Sequence, residues 1–226
     1  MGEIVARRRR DAVLLGAGLV GVATAGRVRW DGRVDDWPRV AVRDAALDDV
    51  AAICRFGELH IPPHYTPLLG AQAAADQVRH WWSPAAISAA VEAGLVVVAE
   101  TPDGAGGPHT ASTGREPVTG RREPVPDGPE IVGVAQHGRS GADHVVYKLY
   151  VHPAYRGRGL GLQLLREVVE RLPEDAERLC IEHFAANARA GEFYERAGYA
   201  VERVEPSPTG DPALAVVWRA RRLRPE

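Results

Sequence analysis

The sequence predicts a mixed domain of the α/β (α+β) class, not a doubly wound one, with elements in the order β-α-α-β-β-β-α-β-α-β-β. Three observations lead there. Short runs alternate apolar and polar residues with the period of a half-buried strand, and longer runs repeat apolar residues at helical spacing. Strands also follow one another without an intervening helix, which a sheet built only from βαβ units does not do.

The elements are taken in order from Arg39. Val40 and Val42 alternate with Ala41 and Arg43, a strand. Asp44 is placed to cap a helix in which Leu47, Val50, Ala51 and Cys54 recur at helical spacing, and Gly57 to end it. Pro62 and Pro63 bar a helix from the segment that follows. Residues 71–93 read as helical, with a break and a fresh start at Ser83-Pro84. Residues 94–100 form an apolar strand. Residues 102–129 hold six Pro and six Gly and almost no large apolar side chain. Such a stretch buries too little surface to offset chain entropy and reads as a flexible insertion in a hairpin. Strand signals resume at 131–135 and again from His144, where Val145, Tyr147, Leu149 and Val151 share one face and Val146, Lys148, Tyr150 and His152 the other. A helix over residues 159–172 has Leu160, Leu164, Leu165, Val168 and Leu172 as its buried stripe. A strand at 179–184, a helix at 188–197 and strands at 199–204 and 213–218 complete the chain.

Composition bounds the function. The chain has 226 residues, 45% apolar and 26% charged, ordinary values for a globular protein. Its net charge of −2 supplies no overall basic field for nucleic acid. No uninterrupted apolar stretch reaches membrane-spanning length. The two cysteines, Cys54 and Cys180, are far apart and form no Cys-x-x-Cys, which disfavours structural zinc. They read as buried thiols of a reducing cytoplasm.

The N-terminal residues 1–38 read as a poorly packed leader, and residues 39–226 as the domain. Three readings of the leader compete. Four arginines at 7–10, an uncharged run and Ala23-Thr24-Ala25 resemble a secretory signal. Residues 16–21 also spell G-x-G-x-x-G, but the sequence after it is too broken for the crossover helix that a dinucleotide fold needs. The third reading is a chain start placed too far upstream.

Chemistry concentrates in two segments. Residues 149–161, LYVHPAYRGRGLG, join a strand to a helix through glycines at 157, 159 and 161 flanked by Arg156 and Arg158. Convergent N–H groups, the helix dipole and two arginines make a phosphate seat. Residues 182–199, EHFAANARAGEFYERAGY, follow one strand and one helix later. Together these resemble the GNAT superfamily of acyl-CoA-dependent N-acetyltransferases. The Arg-x-x-Gly-x-Gly turn matches that family's pyrophosphate loop, and the Asn187 to Tyr194 spacing with the Gly198-Tyr199 ending matches its second cofactor motif.

The resemblance implies a mostly antiparallel central sheet with helices on both faces, and acetyl-CoA as cosubstrate with no metal. It places the pantetheine arm on backbone groups of Leu149 and Val151. It places the pyrophosphate on N–H groups of Gly157, Arg158, Gly159, Leu160, Gly161 and Leu162 beside Arg156, with Asn187 at the arm. It makes Tyr194 the general acid for the leaving thiolate. Glu182 is the candidate general base, since some family members, notably those acetylating protein N-termini, carry a glutamate there. A free alkylammonium has a pKa near 10, so a base or water chain is needed at neutral pH. Direct attack in a ternary complex is implied, with no nucleophilic cysteine. The other reading of the same residues is a catalytically silent protein that only binds acyl-CoA.

His60, His64 and Tyr65 fall where the family places an acceptor-binding loop, and one of the adjacent Trp81 and Trp82 is expected on the acceptor side. His183 points away from Glu182, into packing. Lys148, the only lysine, reads as a snorkelled or ion-paired side chain, with the acceptor cleft as the other place for it. The acceptor is a small-molecule or peptide amine, and the net charge leans slightly toward a cationic one. No nucleic-acid or membrane partner is expected. A homodimer is common for such domains, and the need for acyl-CoA argues for a cytoplasmic protein.

Overall fold

Strand β1 (Ala41–Asp44) is the first element of the described residues and is followed by a 3-10 turn (Leu47–Asp49) and three helices: α1 (Val50–Leu69), α2 (Ala71–Trp81) and α3 (Pro84–Glu92). Then come β2 (Val96–Thr101), β3 (Glu130–Ser140), β4 (Asp143–Val151), α4 (Leu160–Glu170), β5 (Arg178–Phe184), α5 (Ala188–Arg196), β6 (Ala200–Glu205) and β7 (Val216–Arg222). The structure, a computed structural model, describes residues 40–102 and 130–223. The leader 1–38, with its G-x-G-x-x-G and signal-like run, lies outside these residues, as does the insertion beyond Pro102.

One seven-stranded sheet runs β1-β2-β3-β4-β5-β7-β6. Only β4 and β5 pair in parallel, and the other neighbours are antiparallel. The mixed, mostly antiparallel class expected from the sequence is therefore the class observed. Each sheet face has its own core. On one, Leu149, Leu164, Val168, Leu179, Ile181 and Tyr194 join the strands to α4 and α5. On the other, Ile53, Ile61, Tyr65, Trp82, Ile87 and Val98 join them to α1–α3. Burying each such aliphatic side chain contributes about 1.5–3 kcal/mol. Among the described residues, no helix is long and apolar enough to cross a membrane. Cys54 and Cys180 are buried and unpaired, as the sequence suggested.

Four local readings need correction. Helix α1 neither ends at Gly57 nor stops at the prolines. It continues to Leu69 with Pro62, Pro63 and Pro67 inside it. Tertiary burial overrides the local rule, because Ile61 and Tyr65 on the late turns are wholly buried. Asp44 does not cap. It pairs with Arg171, while the Asp49 carboxylate accepts from the Ala46 N–H at 2.7 Å and holds Arg43 at 2.6 Å. The simple alternation along β4 also fails. Gln136 faces Lys148 but His137 faces Val146, so Tyr147 is an extra residue. This β-bulge turns Lys148 and Tyr150 toward the same core as Val145, and sends Leu149 and Val151 to the other. Last, β7 begins at Val216, not at 213, after a 3-10 turn (Pro212–Leu214), and runs past the expected end at 218 to Arg222. Arg219 is used there, donating to His183 Nε2 at 3.1 Å and to the Tyr199 carbonyl at 3.0 Å.

The break at Ser83-Pro84 is as read from the sequence: the Ser83 hydroxyl accepts from the Ala86 N–H at 3.3 Å, and Pro84 opens α3. Trp82, just before it, lies on Gly57 of α1. A Cβ at residue 57 would sit 2.5 Å from two carbons of the Trp82 ring. Gly57→Ala gains helix propensity of about 1 kcal/mol but overpacks this contact. The expected result is a net loss of about 1–2 kcal/mol, read as a lower urea midpoint at unchanged slope.

Candidate active site

The parallel pairing of β4 with β5 ends early. It joins His144 to Leu179, Val145 to Cys180 and Val146 to Ile181, and no further residues. Leu149, Tyr150 and Val151 therefore diverge from Glu182, His183 and Phe184, and a wedge opens between the two strands. The Val151 carbonyl, on the diverging part of β4, accepts from Arg156 Nε at 3.0 Å and retains a second lone pair.

The turn after β4 brings this edge onto α4. Gly157 and Gly159 have φ of 76° and 83°, and each faces open space where a side chain would stand. Gly159 is the N-cap of α4 in the left-handed region, and its carbonyl accepts the Gln163 N–H at 3.0 Å. The N–H groups of Leu160, Gly161 and Leu162 thus have no intrahelical acceptor. Bare N–H groups, two open glycines and the helix dipole fit a phosphate.

Two side chains flank the wedge from β5 and α5. Glu182 is 2% exposed, and neither carboxyl oxygen has a hydrogen-bond partner among the described residues. Burial pushes its pKa up to about 8, Glu205 adds to the rise, and Arg203 opposes it. Glu182 is thus not hydrogen-bonded to an arginine among the described residues. Tyr194 is wholly buried, and burial raises its phenol well above the usual value. Its ring packs against Phe193, Tyr199 and His183. His183 is held by the Phe184 carbonyl and Arg219 on the side away from Glu182, the packing role expected of it. Asn187 caps α5, its Oδ1 accepting from the Ala190 N–H at 3.2 Å.

A third wall comes from α1. The Tyr65 hydroxyl meets the Tyr150 hydroxyl at 3.0 Å, linking α1 to the diverging end of β4. Beside Tyr150, Trp82 stacks edge-on at 5.3 Å, and Lys148 sits 5.6 Å above its ring while bonding Gln136. Burial lowers the Lys148 pKa to about 8. Among the described residues Lys148 is therefore a buried, hydrogen-bonded cation without an ion-pair partner.

Farther out, a cleft of about 490 Å³ lies between the second half of α1, the turn after β4 and the start of α5. His60, His64, Arg156, Asn187 and Arg189 supply its polar lining. His60 and His64 are lowered to about 4, mainly by burial and then by neighbouring cationic groups. Of the four residues proposed for the acceptor, His60 and His64 line this cleft. Tyr65 is instead buried at the wedge. Trp81 is half buried against the α1–α3 core and does not line the cleft. The sequence reading missed Tyr150 and Arg189. Tyr150 was masked by the bulge, and Arg189 stood in plain view two residues after Asn187, with no local sign of its neighbour Arg156.

Residues 125–201 match the sequence model of the acetyltransferase (GNAT) domain. That stretch of the chain is similar to the GNAT acetyltransferases. The match contains the glycine turn, Glu182, Asn187 and Tyr194, and stops short of α1–α3. No curated protein matches the chain. Solved structures show the same GNAT fold over most of the sequence. The PaiA N-acetyltransferase of Thermoplasma acidophilum, in complex with coenzyme A, is 12% identical with a TM-score of 0.59, over 81% of this chain and 99% of that one. A GCN5-related N-acetyltransferase from Rhodopseudomonas palustris is 19% identical with a TM-score of 0.54, over 85% and 99%. A GNAT-family acetyltransferase from Bacillus cereus is 14% identical with a TM-score of 0.50, over 82% and 99%.

Proposed function

We propose that the protein is an N-acetyltransferase that moves an acetyl group from acetyl-CoA to an amine by direct attack in a ternary complex. The observation that carries this reading is the wedge: β4 and β5 separate beyond Val146 and Ile181, with an unpartnered, buried Glu182 on one strand and bare helical N–H groups beyond the other. The thioester supplies an activated acyl carbon and a thiolate leaving group.

The residues divide the work. N–H groups of the turn from Gly157 to Leu162, with Arg158, hold the pyrophosphate, and Leu149, Val151 and Asn187 seat the pantetheine arm. Arg156 braces the arm's strand through the Val151 carbonyl. Glu182, as carboxylate, takes the proton from the attacking amine while the new C–N bond forms. A carboxyl near 8 is matched to that task far better than an ordinary glutamate. As the C–S bond breaks, the Tyr194 O–H, which stays protonated throughout the neutral range, donates to the sulfur. The reading carries a cytoplasmic location with it, because acyl-CoA is an intracellular metabolite.

Thiol release from acetyl-CoA across a set of amines tests the proposal. Amine-dependent release is expected for at least one class. Binding of CoA with no release from any amine would leave the silent, acyl-CoA-binding reading in its place.

A further inference from the structure

Resting on the acyl-transfer reading, a buried group beside Glu182 bears on the chemical class of the acceptor. By strand alternation Glu182 points to the α1–α3 side of the sheet with Cys180 and Phe184, while Ile181 takes the other side. Strand β7 places Trp218 directly opposite it, on the same side. Cross-strand partners of this kind hold their Cβ atoms about 4.5–5.5 Å apart. Trp218 is 8% exposed, and its indole Nε1 is shielded from water with no hydrogen-bond partner among the described residues. Both carboxyl oxygens of Glu182 are in the same condition. Neighbours fix the surroundings: Arg203, opposite Trp218 on β6, stacks on its ring at 4.2 Å, and Phe184 meets Tyr65 of α1 edge-on at 6.1 Å. Trp218 lies outside residues 125–201, the stretch that matches the family sequence.

An indole N–H only donates, and an ionised carboxylate only accepts. Each costs free energy when buried until it is matched. One molecule matches both if it brings an N–H to Glu182 and, beside it, an oxygen to Trp218. We propose that Trp218 sets specificity: its N–H takes the carbonyl oxygen of an acceptor whose amine, on the carbon next to that carbonyl, faces Glu182. The substrate class is an α-amino amide, either a small molecule or the end of a peptide. A free amino acid fits this place worse. Its carboxylate would meet like charge on Glu182 and Glu205, and Arg203 is already committed to Glu205 at 3.0 Å and Glu202 at 3.5 Å. A simple alkylamine or a polyamine brings no oxygen and leaves the indole N–H bare.

The test sets alaninamide and a short alanine peptide with an amidated end beside alanine and the alkylamine of alaninamide's shape. Two readouts run together on the full chain. One is thiol release with acetyl-CoA, and the other is calorimetric titration of each compound into protein saturated with CoA. The amide or the peptide is expected to exceed alanine and the alkylamine about tenfold in affinity and in kcat/KM, and the better of the two tells a small molecule from a chain end. Trp218→Phe keeps an aromatic ring and removes the N–H. It is expected to raise the KM for the preferred amide about tenfold more than the KM for the alkylamine, with kcat changed far less. The differing basicities of the two amines cancel in that double ratio. Equal losses on both would overturn the proposal, since the indole would then only pack or hold a water. So would alanine or the alkylamine serving the unmodified protein as well as the amides, a result that needs no variant to fold. Preferential amide binding without thiol release would uphold the role of Trp218 and overturn the acyl-transfer reading instead.

Discussion

Replacing Glu182 by Gln is expected to lower kcat by about 10²–10⁴ and to erase an inflection near pH 8 from the pH–rate profile. The wild-type rate should rise with pH through the pKa of about 8 that burial gives this carboxyl, because only the ionised form accepts the amine's proton. The same group governs stability, with the sign set by its raised pKa. Below the ordinary glutamate value both folded and unfolded chains hold the proton, and Glu182 adds no pH-dependent cost. Between about 4.5 and 8 the unfolded chain has released it and the folded chain has not, so stability falls as pH rises and the loss is complete above 8. The full span is on the order of 5 kcal/mol. The Gln variant lacks this slope. Denaturant titrations at pH 5.5 and 8 should show it gaining stability relative to wild type as pH increases, even as its activity is lost. A Glu182→Gln enzyme with near-normal kcat would show that the proton leaves by another route.

The second large effect is that of Tyr194→Phe. Only the hydroxyl is removed, and the ring contacts with Phe193, Tyr199 and His183 remain. CoA affinity should therefore change little, while turnover falls by about 10²-fold or more as donation to the leaving sulfur is lost. A weak thiolate acceptor makes a sharper probe. An acyl donor with a less basic leaving thiol needs less help, so the Phe variant should lose less on it. Equal losses on both donors would place Tyr194 in packing or binding and not at the sulfur.

The glycine turn and the helix starts proposed to hold the cosubstrate were legible in the sequence because their signals are local. Glycines at 157 and 159 with positive φ, a helix start at Leu160 and a capping Asn187 are each set within a few residues. The path of α1 was not legible. Pro62 and Pro63 argue locally against a helix, and what sustains it is the burial of Ile61 and Tyr65 against strands far away in sequence. The bulge at Tyr147 was hidden for a related reason: an extra residue is defined only against its partner strand, and it moves Lys148 and Tyr150 to the α1–α3 face. Glu182 could be nominated from its position, but its lack of a partner and the consequent rise in pKa depend on what packs around it. Arg156 and Arg189, which line one cleft, likewise come from two separate turns and meet only in space.

Calorimetric titration of the full chain with acetyl-CoA and with CoA decides most directly whether the wedge between β4 and β5 is an acyl-CoA site. Saturable binding of one molecule per chain, at a concentration well below millimolar and weakened by salt as phosphate contacts require, is the expected result. Absence of binding at millimolar concentration would contradict it and remove the basis for the acyltransferase reading.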